Sequence, residues 1–529
     1  MQKYTVRLNE SLMQLRSLFQ APQSLAIYDI SSASLEVRQA VSTLTGLINR
    51  SQPEIYLIYN HDDRFWLEQI PDSLPRHSMN ASGGDVLGAL IQEYRTRIKG
   101  IVIYDPAQQD TLNLATTIAG LRDGFVADPE LAVLLQQQYH LPIIDDLRNY
   151  QWRSRLQMYR WAQQHFLSDT NKLLLAGLTP EGHTPLRSLL VAARAFVYWL
   201  DARKYVPEPQ VDWLSERALF KEILANYPAG ALHLGWFPDE GSGVQLASQH
   251  ALPVYASDYY QNLEVWLSLP MADMPLPVAP ATPQVVKVPE KKTYVSFTMS
   301  DGDNIQYCQH RLLQLWRDNA RGSLPLGWTI SPALPYFAPY LAKYYLESAT
   351  ANDELIAAPS GAGYIFPSRW PAQHMQEFLA DTGEMMQAMG LSTLEVLDTD
   401  FFHGLGLLPF SITGMGFLSK RLQRTFTSLL TPDGLRGMLS GAGTFWVCWH
   451  LANKVPWYQS LGLAMSVEQT VQLITTTAKI RRQRPLFLNV YVLAWRMSPS
   501  TLLEVMARLG DEYELVLPRE LLSMLAQIL

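Results

Sequence analysis

Hydrophobic positions follow two rhythms along this chain. Short runs rich in β-branched and aromatic residues alternate with longer stretches whose apolar residues recur every three or four positions, the pattern of strands followed by amphipathic helices. In the first half, Ser24–Tyr28, Glu54–Tyr59, Gly100–Tyr104, Pro142–Ile144, Ala231–Trp236 and Leu252–Tyr255 predict strands. Between them Ser34–Asn49, Asp85–Ile98, Asp110–Leu121, Pro129–His140, Gln151–Phe166, Pro185–Tyr205 and Gly243–His250 predict helices. Such βα alternation suits parallel sheet with helical cover.

The second half repeats the alternation more regularly. Strands are predicted at Tyr294–Met299, Leu326–Ile330, Leu355–Ala358, Leu394–Leu397, Thr444–Trp449, Leu486–Val492 and Tyr513–Val516, with a weak one near Gly406–Ile412. Helices fit at Asn304–Arg317, Pro339–Ala349, Gln373–Met389, Val467–Arg481 and Pro499–Leu509. Seven or eight βα units in succession match an irregular (β/α) barrel, and a doubly wound open sheet is the competing architecture. Between the halves, prolines at 270, 275, 277, 280, 283 and 289 forbid regular structure and favour an extended connector. The expected organisation is therefore α/β throughout. A small N-terminal module spans 1–150 and a second, with a helical insertion, spans 151–270; a Pro-rich linker at 271–290 leads to a barrel-like catalytic domain at 291–529.

Composition narrows the function classes. A chain of 529 residues with 48% apolar and 17% charged residues is globular and multidomain. A net charge of −7 without basic blocks leaves no nucleic-acid footprint. Two cysteines, Cys308 and Cys448, exclude a disulfide framework and a Cys-rich zinc site, and both are expected to be free, buried thiols. The N-terminal MQKYTVRLNESLMQLRSLF lacks the apolar core of a signal peptide, and no run is long enough to span a membrane. The expectation is a cytoplasmic protein that binds neither membrane nor nucleic acid; its oligomeric state is not legible.

Candidate chemistry gathers at predicted strand tips. YVSFTMSDGDN at Tyr294–Asn304 delivers Asp301, Asp303 and Asn304 to the end of a strand, where α/β folds keep their sites. Asp303 would equally serve as the N-cap of the following helix, and Asp301-Gly302 as a tight turn. Leu394–Leu397 releases Asp398 and Asp400, two apart and so on one side of an extended chain. Two such carboxylates are solvated, share a metal, or have one pKa raised, and glycoside hydrolysis uses a pair split in that last way. SGAG occurs at Ser360–Gly363 and again at Ser440–Gly443; glycines there allow a positive-φ turn or close approach of backbone to a ligand. Tyr364, Trp449-His450 and Trp495 are rim candidates for stacking and hydrogen bonding to sugar, whereas Trp446 suits the core. No HExxH, P-loop or GxSxG occurs.

The segment GAGYIFP at Gly361–Pro367 resembles the motif that names the GxGYxYP putative glycoside hydrolase family, with Phe366 in place of the second tyrosine. SDGDN at 300–304, RGSLPLGWTISP at 321–332 and AWRMSPSTL at 494–502 resemble its C-terminal domain. TLTGLINRSQPEIYL at 43–57, NLATTIAGL at 113–121 and GWFPDEGSGVQLASQHALPVYASD at 235–258 resemble its N-terminal domains. The resemblance implies α/β modules before a barrel-like domain and a carbohydrate-linked role. It assigns no catalytic residue, so the site rests on strand-tip position.

The expected activity is that of a glycoside hydrolase acting on a carbohydrate without cofactor or metal. Asp301 with Asp398 or Asp400 would form the carboxyl pair. Asp303, Asn304 and Tyr364 would orient hydroxyls, and Gly361 and Gly363 would let backbone come close. Two alternatives stay open. One is a metal-dependent sugar deacetylase holding a divalent cation on Asp301 and Asp303; the other is a non-catalytic glycan-binding protein built on the aromatic rim.

Overall fold

The computed structural model describes residues 7–182, 185–203, 213–271, 288–301, 305–398, 418–444 and 447–528. The predicted linker, and the weak strand near Gly406–Ile412, fall outside the described residues for most or all of their length. The described chain divides into two compact units. One comprises residues up to Ala272 together with Pro335–Leu341, and the other comprises Asp273–Leu334 and Ala342–Leu529.

The first unit carries three separate parallel sheets. Strands β1 (Leu25–Asp29), β2 (Ile55–Ile58) and β3 (Arg76–Ser82) form one in the order β2-β1-β3. Strands β4 (Gly100–Ile103), β5 (Gly124–Ala127) and β6 (Ile143–Asp146) form the second in the order β5-β4-β6. Strands β7 (Leu174–Gly177), β8 (Phe196–Tyr198), β9 (Leu232–Gly235) and β10 (Val254–Tyr255) form the third in the order β10-β9-β7-β8. The βα alternation holds here, but β3, β5, β7 and β8 all lie outside the predicted strands, and β8 replaces part of a predicted helix. The helix predicted over Pro185–Tyr205 ends at Ala192; Arg194 then takes a left-handed φ of 55° and the chain continues as β8. A run buried on every side has no polar face to distinguish the two periods.

The second unit is built on β11 (Thr293–Ser300), β12 (Leu326–Ile330), β13 (Asp353–Ala357), β14 (Thr393–Val396), β15 (Gly437–Thr444), β16 (Cys448–Ala452), β17 (Val455–Ala464), β18 (Leu486–Leu493) and β19 (Tyr513–Leu515). Seven of these follow the parallel order β12-β13-β14-β15-β17-β18-β11, and the pairing of Thr298 and Met299 with Gly327 and Trp328 closes the ring. The closed barrel, not the open sheet, is the architecture. The other two strands are additions. β16 runs antiparallel to the first half of β17, and β19 pairs with the start of β11. The single strand predicted over Thr444–Trp449 is thus replaced by the end of β15 and the start of β16, and Cys448 is exposed instead of buried.

Alternation along β11 explains the barrel wall. All eight of its residues are buried, yet Ser296, Thr298 and Ser300 are polar while Val295, Phe297 and Met299 are apolar. The polar set points inward. Ser296 and Thr298 hydroxyls donate to Asn489 Oδ1 of β18 at 2.8 and 3.0 Å, and Asn489 Nδ2 donates to Ser460 of β17 at 3.0 Å. The apolar set faces the surrounding helices, as Trp328 of β12 does against Trp316 (ring centroids 5.2 Å apart). The N-terminal end of the barrel is closed by the helix Pro518–Ile528. Leu522 packs against Gly437 at the start of β15, and the Arg519 amide donates to Glu354 Oε2 of β13 at 2.7 Å. The C-terminal strand ends face the other way.

Candidate functional site

Asp301 is the first residue beyond β11. Its amide donates to Thr329 Oγ1 of β12 at 3.1 Å, and that hydroxyl donates in turn to the Met299 carbonyl at 3.1 Å. Its carboxylate Oδ2 accepts the indole N–H of Trp495 at 2.5 Å. Trp495 stands two residues past β18, which pairs with β11 along its whole length. The two residues were singled out on separate strand tips, and strand pairing brings them together. Trp495 is 49% exposed, with its ring 6.0 Å from that of Tyr307.

On the opposite wall lies a residue the sequence reading passed over. Counted round the ring, β14 is three strands from β11 one way and four the other. Glu395, the penultimate residue of β14, accepts the Ser300 hydroxyl on Oε1 at 2.6 Å, so this hydrogen bond crosses the barrel interior in its last layer before the mouth. Glu395 is wholly buried, and burial pushes its carboxyl up to about 7 against the opposing pull of the Ser300 hydrogen bond. Its second oxygen is buried with no partner among the described residues. The one hint in the sequence is a carboxylate between Leu394 and Val396, costly to bury, but it does not say which way the residue faces.

The GAGYIFP loop follows β13 and is tied to β14. Ser360 adopts a left-handed φ of 64°, its amide donates to the Glu395 carbonyl at 2.8 Å and its hydroxyl donates to the Leu397 carbonyl at 3.0 Å. Those bonds hold a conformation that a residue with a Cβ rarely adopts. Gly361 sits at φ 122°, where a Cβ would run into the Thr382 side chain; Thr382 Oγ1 also accepts the Ala362 amide at 3.0 Å. Gly361 therefore has a packing reason of its own, set by the helix Ala372–Ala388. Gly363, Tyr364 and Phe366 are buried, the two rings meeting edge to face at 5.8 Å. Asp398, two residues past β14 and 2% exposed, accepts the Ser368 hydroxyl at 2.7 Å on Oδ1.

Trp449 and His450 stand elsewhere. They pair with Tyr458 and Trp457 in the first half of β17, and the Trp449 ring meets Phe487 at the start of β18. That is the N-terminal half of the barrel, away from Asp301 and Asp398. The His450 Nε2 lies 2.5 Å from Gln423 Oε1, and burial together with Lys420 lowers its pKa. The strands that carry the candidate tips are not all neighbours: β13 and β14 are paired, but β12 separates β11 from β13. Asp303, Asn304 and Asp400 lie outside the described residues. Among the described residues no group of three His, Cys, Asp or Glu side chains could hold a metal ion. Nor is any described helix long and apolar enough to cross a membrane.

Comparison with known proteins bears on fold and family. No curated protein sequence matches the chain. In architecture it is similar to a crystal structure described as a putative hydrolase from Bacteroides thetaiotaomicron VPI-5482. The TM-score is 0.78 at 22% identity, covering 96% of this chain and 95% of that one, a likeness of fold. A putative polysaccharide deacetylase from Mycobacterium smegmatis matches with a TM-score of only 0.30 at 11% identity, over 46% of this chain and 92% of that one, and supports no argument. Four family profiles tile the sequence. The GxGYxYP first, second and third N-terminal domains match residues 24–81, 98–170 and 171–268, and the "GxGYxYP putative glycoside hydrolase C-terminal domain" matches residues 291–526. The loop clamped between β13 and β14 is the segment that gives this family its name, and by motif, domain order and barrel the chain belongs to the GxGYxYP family.

Proposed function

We propose that the protein is a glycoside hydrolase whose catalytic carboxylates stand at the C-terminal mouth of the barrel. Asp301 and Asp398 are the pair we assign, with Asp400 as the further carboxylate of the same segment. The observation that carries this reading is the Ser300–Glu395 hydrogen bond across the barrel. It ties the ends of β11 and β14 to one opening, and Asp301 and Asp398 follow those ends by one and two residues. Catalytic groups contributed by the ends of different strands are the rule in this architecture. The indole N–H of Trp495 fixes the Asp301 carboxyl at the rim, where a nucleophile or base must be held. The half-exposed Trp495 ring beside it offers a face for the C–H groups of a sugar. Asp303, Asn304 and Tyr364 fit as hydroxyl-orienting groups. Gly361 and Gly363 fit as points of close backbone approach, in addition to the packing reason described for Gly361.

The test is D301N and D398N on a panel of aryl glycosides and acetylated sugars, with and without chelator. Each change keeps shape and removes the charge. Glycoside cleavage is expected to fall by roughly 10²–10⁴-fold with thermal stability nearly unchanged. Activity at the wild-type level in both variants would sink the assignment. Activity confined to acetylated sugars and abolished by chelator would point to a metal-dependent deacetylase instead.

A further inference from the structure

Resting on the glycosidase reading but going beyond its rim carboxylates, we propose that Glu395 is the proton donor of the reaction, meeting the glycosidic oxygen of a sugar lodged in the barrel mouth through Oε2. Three observations carry the assignment. Glu395 occupies the interior layer nearest the mouth, level with Ser300 and therefore one residue below Asp301. One carboxyl oxygen is fixed by the Ser300 hydroxyl, whereas the other, equally buried, has no partner among the described residues. A carboxyl retained only for packing would have both oxygens satisfied, as the Glu354 carboxyl does at the far end of the barrel. There Thr393 donates to one oxygen at 2.7 Å and the Arg519 amide to the other at 2.7 Å. Finally, the only influences resolved on Glu395 are burial and the Ser300 hydroxyl. Burial raises its carboxyl to about 7, so a protonated fraction that an ordinary carboxyl would lack persists at neutral pH, as an acid catalyst requires.

The step balances as follows. The proton on Oε2 passes to the glycosidic oxygen as the bond from that oxygen to the anomeric carbon breaks, and the bonding pair leaves with the oxygen. A water oxygen bonds to the anomeric carbon, directly or after a glycosyl-enzyme stage, and gives up one proton. That proton restores Glu395, and the net reaction is hydrolysis. Ser300, whose hydroxyl already points at Oε1, stabilises the carboxylate present between the two transfers. Asp301 on the facing wall enters the step as the carboxylate that either forms and then releases the glycosyl-enzyme ester or takes the water proton and relays it. Glu395 thus takes the acid's part and Asp301 that of nucleophile or base, while Asp398 of the rim pair orients the attacking water; the two reacting carboxyls divide their roles by environment, one dry, one hydrogen-bonded at the rim.

The experiment compares wild type and E395Q on aryl glycosides graded from dinitrophenyl to alkyl-substituted phenyl leaving groups. An amide keeps the hydrogen bond from Ser300 but cannot deliver a proton. We expect kcat/KM of E395Q to fall by at least about 10²-fold on the poorest leaving groups and by less than about tenfold on dinitrophenyl glycosides, which need no proton to depart. Should E395Q not fold, E395D, which draws the carboxyl back by one methylene, must show the same selective loss. A uniform loss across the series, or none, overturns the proposal and leaves Glu395 a structural residue. If wild type cleaves no glycoside in the series, the glycosidase reading itself fails and takes this inference with it.

Discussion

At the scale of single residues, the motif that names the family divides its work between conformation and position. Ser360 accepts a left-handed backbone because both its amide and its hydroxyl are spent on β14, and Gly361 is required where the chain passes Thr382. G361A should therefore destabilise the barrel by roughly 2 kcal/mol, the sum of a disfavoured positive φ and a clash with a buried side chain. Urea denaturation would measure it, and a loss below about 0.5 kcal/mol would mean that Thr382 yields freely. The candidate site was partly legible at this scale. Asp301 and Asp398 were legible as carboxylates at strand tips, and Trp495 as a residue that follows a strand end, and each stands where that pattern put it. Glu395 was hidden inside the strand Leu394–Leu397, where an inward-facing residue of a barrel and a buried residue of a sheet look alike. Trp449-His450 misled for the complementary reason: the pair flanks a strand, but that strand is an antiparallel addition at the closed end.

At the scale of elements, the barrel strands that alternate cleanly were legible almost to the residue, Leu326–Ile330 among them. The others failed for identifiable reasons. β17 contains Pro456, Gln459 and Gly462, which break an apolar run, so its buried inward residues gave no strand signal. β3, RHSMNAS, is polar and largely exposed at a sheet edge. The helix expected over Asn304–Arg317 is interrupted at His310, whose backbone leaves the helical region. What no linear pattern conveys is that the barrel interior is polar. Asn489 is its hub, joining β18 to β11 and β17 through Ser296, Thr298 and Ser460. N489L keeps the volume but leaves three buried hydroxyls short of a partner. The cost should be roughly 3–9 kcal/mol at 1–3 kcal/mol per orphaned group, read from the denaturation midpoint at unchanged slope. A change under about 1 kcal/mol would show that the hydroxyls find other acceptors.

At the scale of the whole molecule, buried carboxyls in both units set how stability responds to pH. Burial raises Asp63 and Glu264 in the first unit and Glu354 in the second; it takes Asp110 up to about 6 and Glu395 up to about 7. Each such group binds a proton more tightly folded than unfolded, so stability is fully present below the unfolded pKa and is lost as pH rises through the folded value. His233 acts with the opposite sign. Wholly buried beside Tyr198, it is lowered to about 3, so the folded state resists a proton that the unfolded chain takes up below about 6.5. Above pH 6.5 more than half of that histidine contribution is already present, and the raised carboxyls dominate what still changes. The melting temperature should therefore decline from pH 6.5 to pH 8 at constant ionic strength. For Glu395 the interval from 4.5 to about 7 corresponds to ~3 kcal/mol between the acid and alkaline limits. E395Q removes that contribution, so the variant should lose less than wild type over pH 5 to 8 and overtake it at the alkaline end. Parallel melting curves for the two proteins would show that Glu395 is ionised in the folded state at acid pH, and would remove the premise on which its role as a proton donor stands.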